Sequence, residues 1–424
     1  MTTAMLLKNL NVFDVEAGVI RNNLDVLIEN GILSDVGRID EVDDQNLCQV
    51  ECSGKFAIPG LFECHAHLVG LTAEKDEKKK QVLADFVRKG ITQVRDVGGS
   101  LDRMEAMKDA VSSGKLPGPE IFYSGPMLEK GPPFWERHNE AFPGFTVAID
   151  TKEDARRIMA ELSECGASLV KTFNKFDVEV HRYLVDRAKD CGLPVTHDPG
   201  MPLFHSIPMD IGINSGVRCF EHGKSPWPLV LKDDLKLEHD RLLTSAADEE
   251  TRRLFAVRVH RLSIESVSSA RLGELIDIML EKDVCICPTL HAFAAIAEHP
   301  AEEMGEGSKE VCRAMDEIGR HFTQEMGKRN VRILVGHDGA NPEFTLNEMQ
   351  LLKKCGLSES EIIKGATIYP AQWLGVEKKY GSILPGRKAN ILVLNQNPLE
   401  DIQNVRIPYL VTQNGKIVFK ETNE

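Results

Sequence analysis

This chain has no excess of basic residues, few aromatics, no paired cysteines and no long apolar run. With 51 Lys and Arg against 65 Asp and Glu, its formal charge is -14. Such a balance argues against a nucleic acid or an anionic membrane as partner, since either would need a basic face to displace counterions. No segment reaches the roughly 18 uncharged apolar residues of a membrane helix. The opening stretch MTTAMLLKNLNVFDVEAG is interrupted by Lys8 and Asn9. It lacks the charged leader, apolar core and small-residue cleavage site of an export signal. The ten cysteines form no CxxC pair, which argues against a disulfide framework or a thiolate zinc site. Cys285 and Cys287 share a face of one strand-like run and suit core packing. The expected setting is a reducing cytoplasm, with a small-molecule substrate, no nucleic acid, no membrane and a homo-oligomer allowed.

What is present is an ordinary globular composition, 42% hydrophobic and 27% charged over 424 residues, enough for one barrel-sized domain and a smaller one. Asn30-Gly31 and Asn414-Gly415 each sit between apolar runs, and Asn-Gly supplies the positive φ angles of a tight hairpin. Two matching hairpins, one near each end, predict a small β-sandwich domain built from residues 1–57 together with 382–424. Between them, residues 58–381 alternate. The runs ITQVRDV, EIFYSG, SLVKTF, LPVTHD, VRCFEHG, VCICPTL and RILVGHD each follow a helix-like stretch, and the opening run makes eight. TKEDARRIMAELSECG shows the helical signal, with Thr151 as N-cap, acids in the first turn and Gly166 as the stop. Eight such units predict an α/β (β/α)8 TIM barrel. The charged stretch 224–262 reads as a surface excursion.

In that fold the chemistry sits where strands end. His65 and His67 close the first run, Lys171 lies late in the fourth, His197 late in the fifth, His222 ends the sixth and Asp338 the eighth. Alternate strand residues share a face, so His65 and His67 stand side by side. The competing reading is one core histidine and one loop histidine. Four imidazoles and a carboxylate at one rim are a ligand set for a Zn-type ion. A lysine aimed into an apolar mouth is disfavoured as a cation, and its neutral amine can add carbon dioxide. The carbamate can bridge two metals. A Lys171 that snorkels outward, or pairs with a carboxylate, is the alternative.

The segments PGLFECHAH, ITQVRDVGG, SLVKTF, LPVTHD, RCFEHG, LVGHDGA and GSILPGRKANILVLNQNPLEDI run in this order over essentially the whole chain. They resemble the amidohydrolase superfamily, in particular its metal-dependent prolidase and carboxypeptidase-like branch near imidazolonepropionase. The resemblance implies that His65 and His67 bind the more buried metal, completed by Asp338. It implies that Lys171 is the carboxylated bridging lysine, that His197 and His222 bind the second metal, and that Asp338 is also the acid/base. The implied protein is a binuclear zinc hydrolase that cleaves an amide C-N bond, of a dipeptide or N-acyl amino acid, by attack of a metal-bridging hydroxide. The rival is a mononuclear aminohydrolase acting on a ring. Deaminases of this superfamily place a glutamate after the strand 5 histidine, and THDPGMP has none. A non-enzymatic scaffold is the third reading.

Two departures bear on substrate. His337 stands where many relatives have threonine, and EKGPPFWERHN replaces a Gly-Gly-His type loop. His337 alternates with Asp338 and is expected to face away from the metals; His138 reads as a surface residue. Phe134, Trp135, Phe142, Trp227, His291 and Phe293 are candidates for an apolar substrate lining, or for a lid packed on its own aromatics.

Overall fold

The computed structural model describes the chain except residues 1–3, 41, 43–46, 201–205, 245–262, 300–305 and 423–424. The first five strands are β1 (Met5–Asp14), β2 (Val19–Glu29), β3 (Ile32–Gly37), β4 (Cys48–Glu51) and β5 (Phe56–Pro59). The barrel region carries β6 (Leu61–Ala66), β7 (Ile91–Asp96), β8 (Glu120–Tyr123), β9 (Met127–Glu129), β10 (Thr146–Ala148), β11 (Val170–Phe173), β12 (Val195–Asp198), β13 (Cys219–Glu221) and β14 (Cys285–Cys287). The last three are β15 (Ile391–Leu394), β16 (Pro408–Gln413) and β17 (Lys416–Lys420).

Both ends of the chain build one eight-stranded sheet, β17-β16-β15-β5-β1-β2-β3, with β4 on β1. Asn30-Gly31 and Asn414-Gly415 all have positive φ and turn β2 into β3 and β16 into β17. The two turns press together, since a Cβ on Gly415 would lie 2.7 Å from the Gly31 Cα. The sheet encloses its own apolar core, including Leu7, Leu10, Val26, Ile28, Ile391, Val393 and Leu410.

The chain passes from this sheet to the barrel at Gly60, between β5 and β6. Parallel pairing gives β6-β7-β8 and β9-β11-β12-β13-β14. The β8 run continues through Gly125 into β9, which pairs with β11. The predicted eighth strand, RILVGHD, makes only an isolated bridge at Ile333 to Ile286 and no regular ladder, but its backbone does a strand's work. Leu334 N donates to Ile286 O on one side, and Cys64 N donates to Val335 O on the other. Eight parallel runs therefore follow one another from β6 back to β6, with helices outside. One such helix, Lys152–Glu164, has Thr151 in a reciprocal capping box with Asp154, and Gly166 follows with φ +67°.

The predicted excursion is corrected at its start. Trp227, Val230 and Leu231 are completely buried in the main core, and the helix Asp233–Thr244 follows; the stretch 245–262 lies outside the described residues. No helix among the described residues is long and apolar enough to cross a membrane, and all ten cysteines are free.

Candidate metal centre

The rim has two sides. On the first, β6 brings up His65 and His67 through a β-bulge. Glu63 pairs with Val94 and Ala66 with Asp96, three steps against two, and such an extra residue re-aims the side chains beyond it. The two rings end 5.3 Å apart. Buried His65 donates from Nδ1 to Glu221 Oε2 at 2.7 Å, which leaves its Nε2 lone pair for the rim. Burial pushes this imidazole down to about 4, against the pull of Glu221 and Asp338, so it is a neutral ligand at pH 7. His67 donates from Nδ1 to Gly98 O at 3.2 Å, and its Nε2 is also free. Asp338, at φ +66°, places Oδ1 at 3.6 Å from His65 Nε2 and 3.3 Å from His67 Nε2. Burial alone would raise its pKa, but His65, His67 and His222 hold it well below the usual carboxylate range. Two free imidazole nitrogens and a carboxylate on one point fit a transition-metal dication.

Beneath them lies a pillar that sequence reasoning missed. Fully buried Arg95 donates to Glu221 Oε1 at 2.7 Å, and the Thr196 hydroxyl donates to the same oxygen. Despite burial, Arg95 and His65 hold Glu221 well below the ordinary carboxylate range. The anion thus stays ionised and fixes the His65 tautomer. ITQVRDV shows only a charge within an apolar run, and nothing local says that its partner stands on β13.

The second side follows from register. Lys171 pairs with Thr196, Thr172 with His197 and Phe173 with Asp198. Lys171 and Phe173 face the barrel mouth, so Asp198 does too, and His197 faces the surrounding helices with Thr172. Both His197 nitrogens are occupied there. Thr172 Oγ1 donates to Nδ1 at 2.8 Å, and Nε2 donates to Ile207 O at 3.0 Å. The expectation that His197 binds metal is therefore corrected: it is buried behind the strand with no lone pair to offer. Asp198 occupies the inward position, with Oδ2 at 3.0 Å from His222 Nε2 and 3.7 Å from the Lys171 ammonium. Burial opposes its ionisation, yet His222, Lys171 and Lys224 hold Asp198 well below the usual range. His222 would point outward if β13 continued straight beyond inward-facing Glu221; a φ of +69° turns it back. Thr289 Oγ1, at 2.6 Å, can accept a hydrogen bond from its Nδ1-H and leave Nε2 for the rim.

Between the two sides opens a cavity of about 330 Å³. His65, His67, Lys171, Asp198, His222 and Asp338 line its floor, and Met127, Phe134, Trp135, Phe145, Phe173 and Phe293 line its wall. Lys224 also lines it and donates to Gly200 O at 2.6 Å. Exposed His138 stands at the mouth, its ring 5.5 Å from Phe145. Trp227 is not in this wall, because it is wholly buried in the core. His291 is not either; its ring packs on Phe344 at 4.4 Å. Phe142 packs on the core and under Arg103. His337 turns away from the cavity: its Nδ1 donates to Glu63 Oε2 at 2.7 Å and its Nε2 accepts from Asn341 N at 3.2 Å.

A ring of parallel strands with imidazoles and carboxylates converging at its C-terminal rim is an arrangement able to hold a metal ion at a barrel mouth. Residues 242–418 match the model of the amidohydrolase family. The chain is 21% identical over 430 residues to the ochratoxinase of Aspergillus niger, covering 92% of this chain and 81% of that one. It is 21% identical over 416 residues to the dihydroorotase of Ruminiclostridium cellulolyticum, covering 93% and 89%. A prolidase structure in complex with N-methylphosphonate-L-proline shares the fold with a TM-score of 0.76 at 22% identity, covering 99% of this chain and 100% of that one. Over residues 242–418 the chain thus matches the amidohydrolase family, and over most of its length it is similar to hydrolases that share its fold.

Proposed function

We propose that the protein is a binuclear zinc amidohydrolase that cleaves the amide C-N bond of a dipeptide or an N-acyl amino acid. The observation that carries this reading is the convergence of His65 Nε2, His67 Nε2 and the Asp338 carboxylate on one point of the cavity floor. These three would hold one ion, and Lys171, as its carbamate, with His222 would hold the other. Bound there, zinc supplies Lewis-acid polarisation of the scissile carbonyl and a water acidic enough to ionise near neutral pH. Asp338, ionised and facing the cavity, would serve as the acid/base, taking up a proton as water attacks and giving it to the leaving nitrogen. Glu221 holds His65 in one tautomer through Nδ1. The aromatic wall suits an apolar acyl or side-chain group, while the Lys224 ammonium suits a substrate carboxylate. The same reading assigns residues 58–381 to the hydrolase barrel and 1–57 with 382–424 to the β unit, acting in the cytoplasm.

One observation favours the rival, a mononuclear aminohydrolase opening or deaminating a ring. The Lys171 ammonium stands 3.7 Å from a carboxylate, a partner for an unmodified lysine. The deciding experiment loads the purified protein with zinc in bicarbonate buffer, counts ions per chain and screens N-acyl amino acids and dipeptides for amine release. Two ions with cleavage of a linear amide support the proposal. One ion, with turnover of cyclic substrates only, sinks it.

A further inference from the structure

We infer that Asp198, and not His197, is the β12 ligand of the second metal position, which makes that position richer in oxygen and poorer in nitrogen than the first. The inference rests on the two-ion reading above and adds a residue to it. Three observations carry it.

The first is register. In parallel strands, residues paired across the ladder share a face, and Asp198 shares the face of Lys171 and Phe173, both of which line the cavity. The second is occupancy. His197 spends both ring nitrogens on Thr172 and Ile207, at 2.8 and 3.0 Å, and a histidine ligand must keep one lone pair. Freeing it would require a half-turn of the ring through the packing of His181 and Phe220, whose rings lie 5.4 and 6.1 Å away. The third is convergence. Asp198 Oδ2 already lies within 3.0 Å of His222 Nε2 and 3.7 Å of Lys171 Nζ.

The two positions then differ in kind. His65, His67 and Asp338 present two neutral nitrogens and one carboxylate. Lys171 as carbamate, Asp198 and His222 present two anionic oxygen groups and one nitrogen. Oxygen donors suit harder cations such as Mn2+, whereas imidazole suits Zn2+. The second position should therefore discriminate less in favour of Zn2+ over Mn2+ than the first.

The test is metal content, read without turnover. Apo-protein is equilibrated with Mn2+ or Zn2+ in bicarbonate buffer, separated from free ion by gel filtration and analysed by elemental mass spectrometry, with thermal unfolding of each variant in parallel. The wild type is expected to hold two ions, D198N one, and H197N two. D198H restores the second ion and shifts its competition toward Zn2+, which keeps the inference testable should D198N unfold. Two ions in folded D198N, or one ion in folded H197N, overturns the assignment while leaving the two-metal reading standing. One ion in the wild type overturns that reading and this inference together.

Discussion

The two sides of the barrel rim were built by different means. On the His65 side, both imidazoles come from one stretch of chain, two residues apart, and a bulge within β6 turns them to the cavity. On the Lys171 side, each donor comes from a different strand, and its direction depends on how that strand is registered against its neighbour. The pair of imidazoles on the first side is a local property of the chain, whereas the second side is a property of the assembled sheet. A His-to-cavity assignment could therefore be made within β6 and fail within β12.

The largest expected effect comes from breaking the first side at its carboxylate. Asp338→Asn removes both a charged donor and the proton carrier. Loss of general acid-base catalysis alone costs about 10²–10⁴-fold, so kcat/KM on the substrate found by screening should fall by at least about 10³-fold. A loss under tenfold would remove Asp338 from the reaction. Next comes the pillar. Arg95→Met leaves Glu221 as an uncompensated charge at 0% exposure, and breaking a buried pair in this way costs about 3–5 kcal/mol. The denaturant midpoint should drop accordingly and zinc retention at the first position should weaken. Unchanged stability would mean that Glu221 is held by His65 and Thr196 alone. A smaller effect is expected at Gly336, where the eighth run crosses β6. A Cβ there would lie 2.6 Å from His65 N and 2.7 Å from Cys287 Sγ. Gly336→Ala should cost about 1–3 kcal/mol, the range of overpacked cores, and should disturb the first metal position while sparing the second.

How far the molecule was legible in advance follows the same division. The hairpins at Asn30-Gly31 and Asn414-Gly415 were visible because the turn chemistry is local, and so was the Thr151 cap. The alternation of runs and helices was visible because periodicity is local. The eighth run was legible as a strand by its apolar pattern, although its pairing reduces to backbone bonds on either side. What could not be read was which way VTHD faces: both His197 and Asp198 are plausible at a rim, and a period of two fixes only that they point oppositely. Counting faces from Lys171, across a register no local signal supplies, would have selected Asp198. Trp227 failed for a related reason, since an aromatic near a loop serves a core as readily as a pocket.

A titration away from both sides sharpens the comparison, because it should act on the fold and not on the ions. Glu348, on the helix Pro342–Lys354, accepts the backbone N-H groups of Leu290 and His291 at 2.9 and 2.7 Å. It thereby caps the helix Leu290–Glu298 from outside. Burial, with Glu63 adding to it, pushes the carboxyl up to about 8 in spite of those two bonds. The folded state thus keeps its proton to about pH 8, whereas an unfolded glutamate releases it near 4.5. Between those limits the native chain binds more protons than the unfolded one, so this contribution to stability is complete below pH 4.5, declines as pH rises and is lost above about pH 8. Glu348→Gln removes the titration. Its unfolding midpoint should decline less than that of the wild type between pH 5 and pH 8, with the metal content of both positions unchanged. Parallel declines in the two proteins would show that Glu348 is ionised throughout and that the two backbone bonds outweigh its burial.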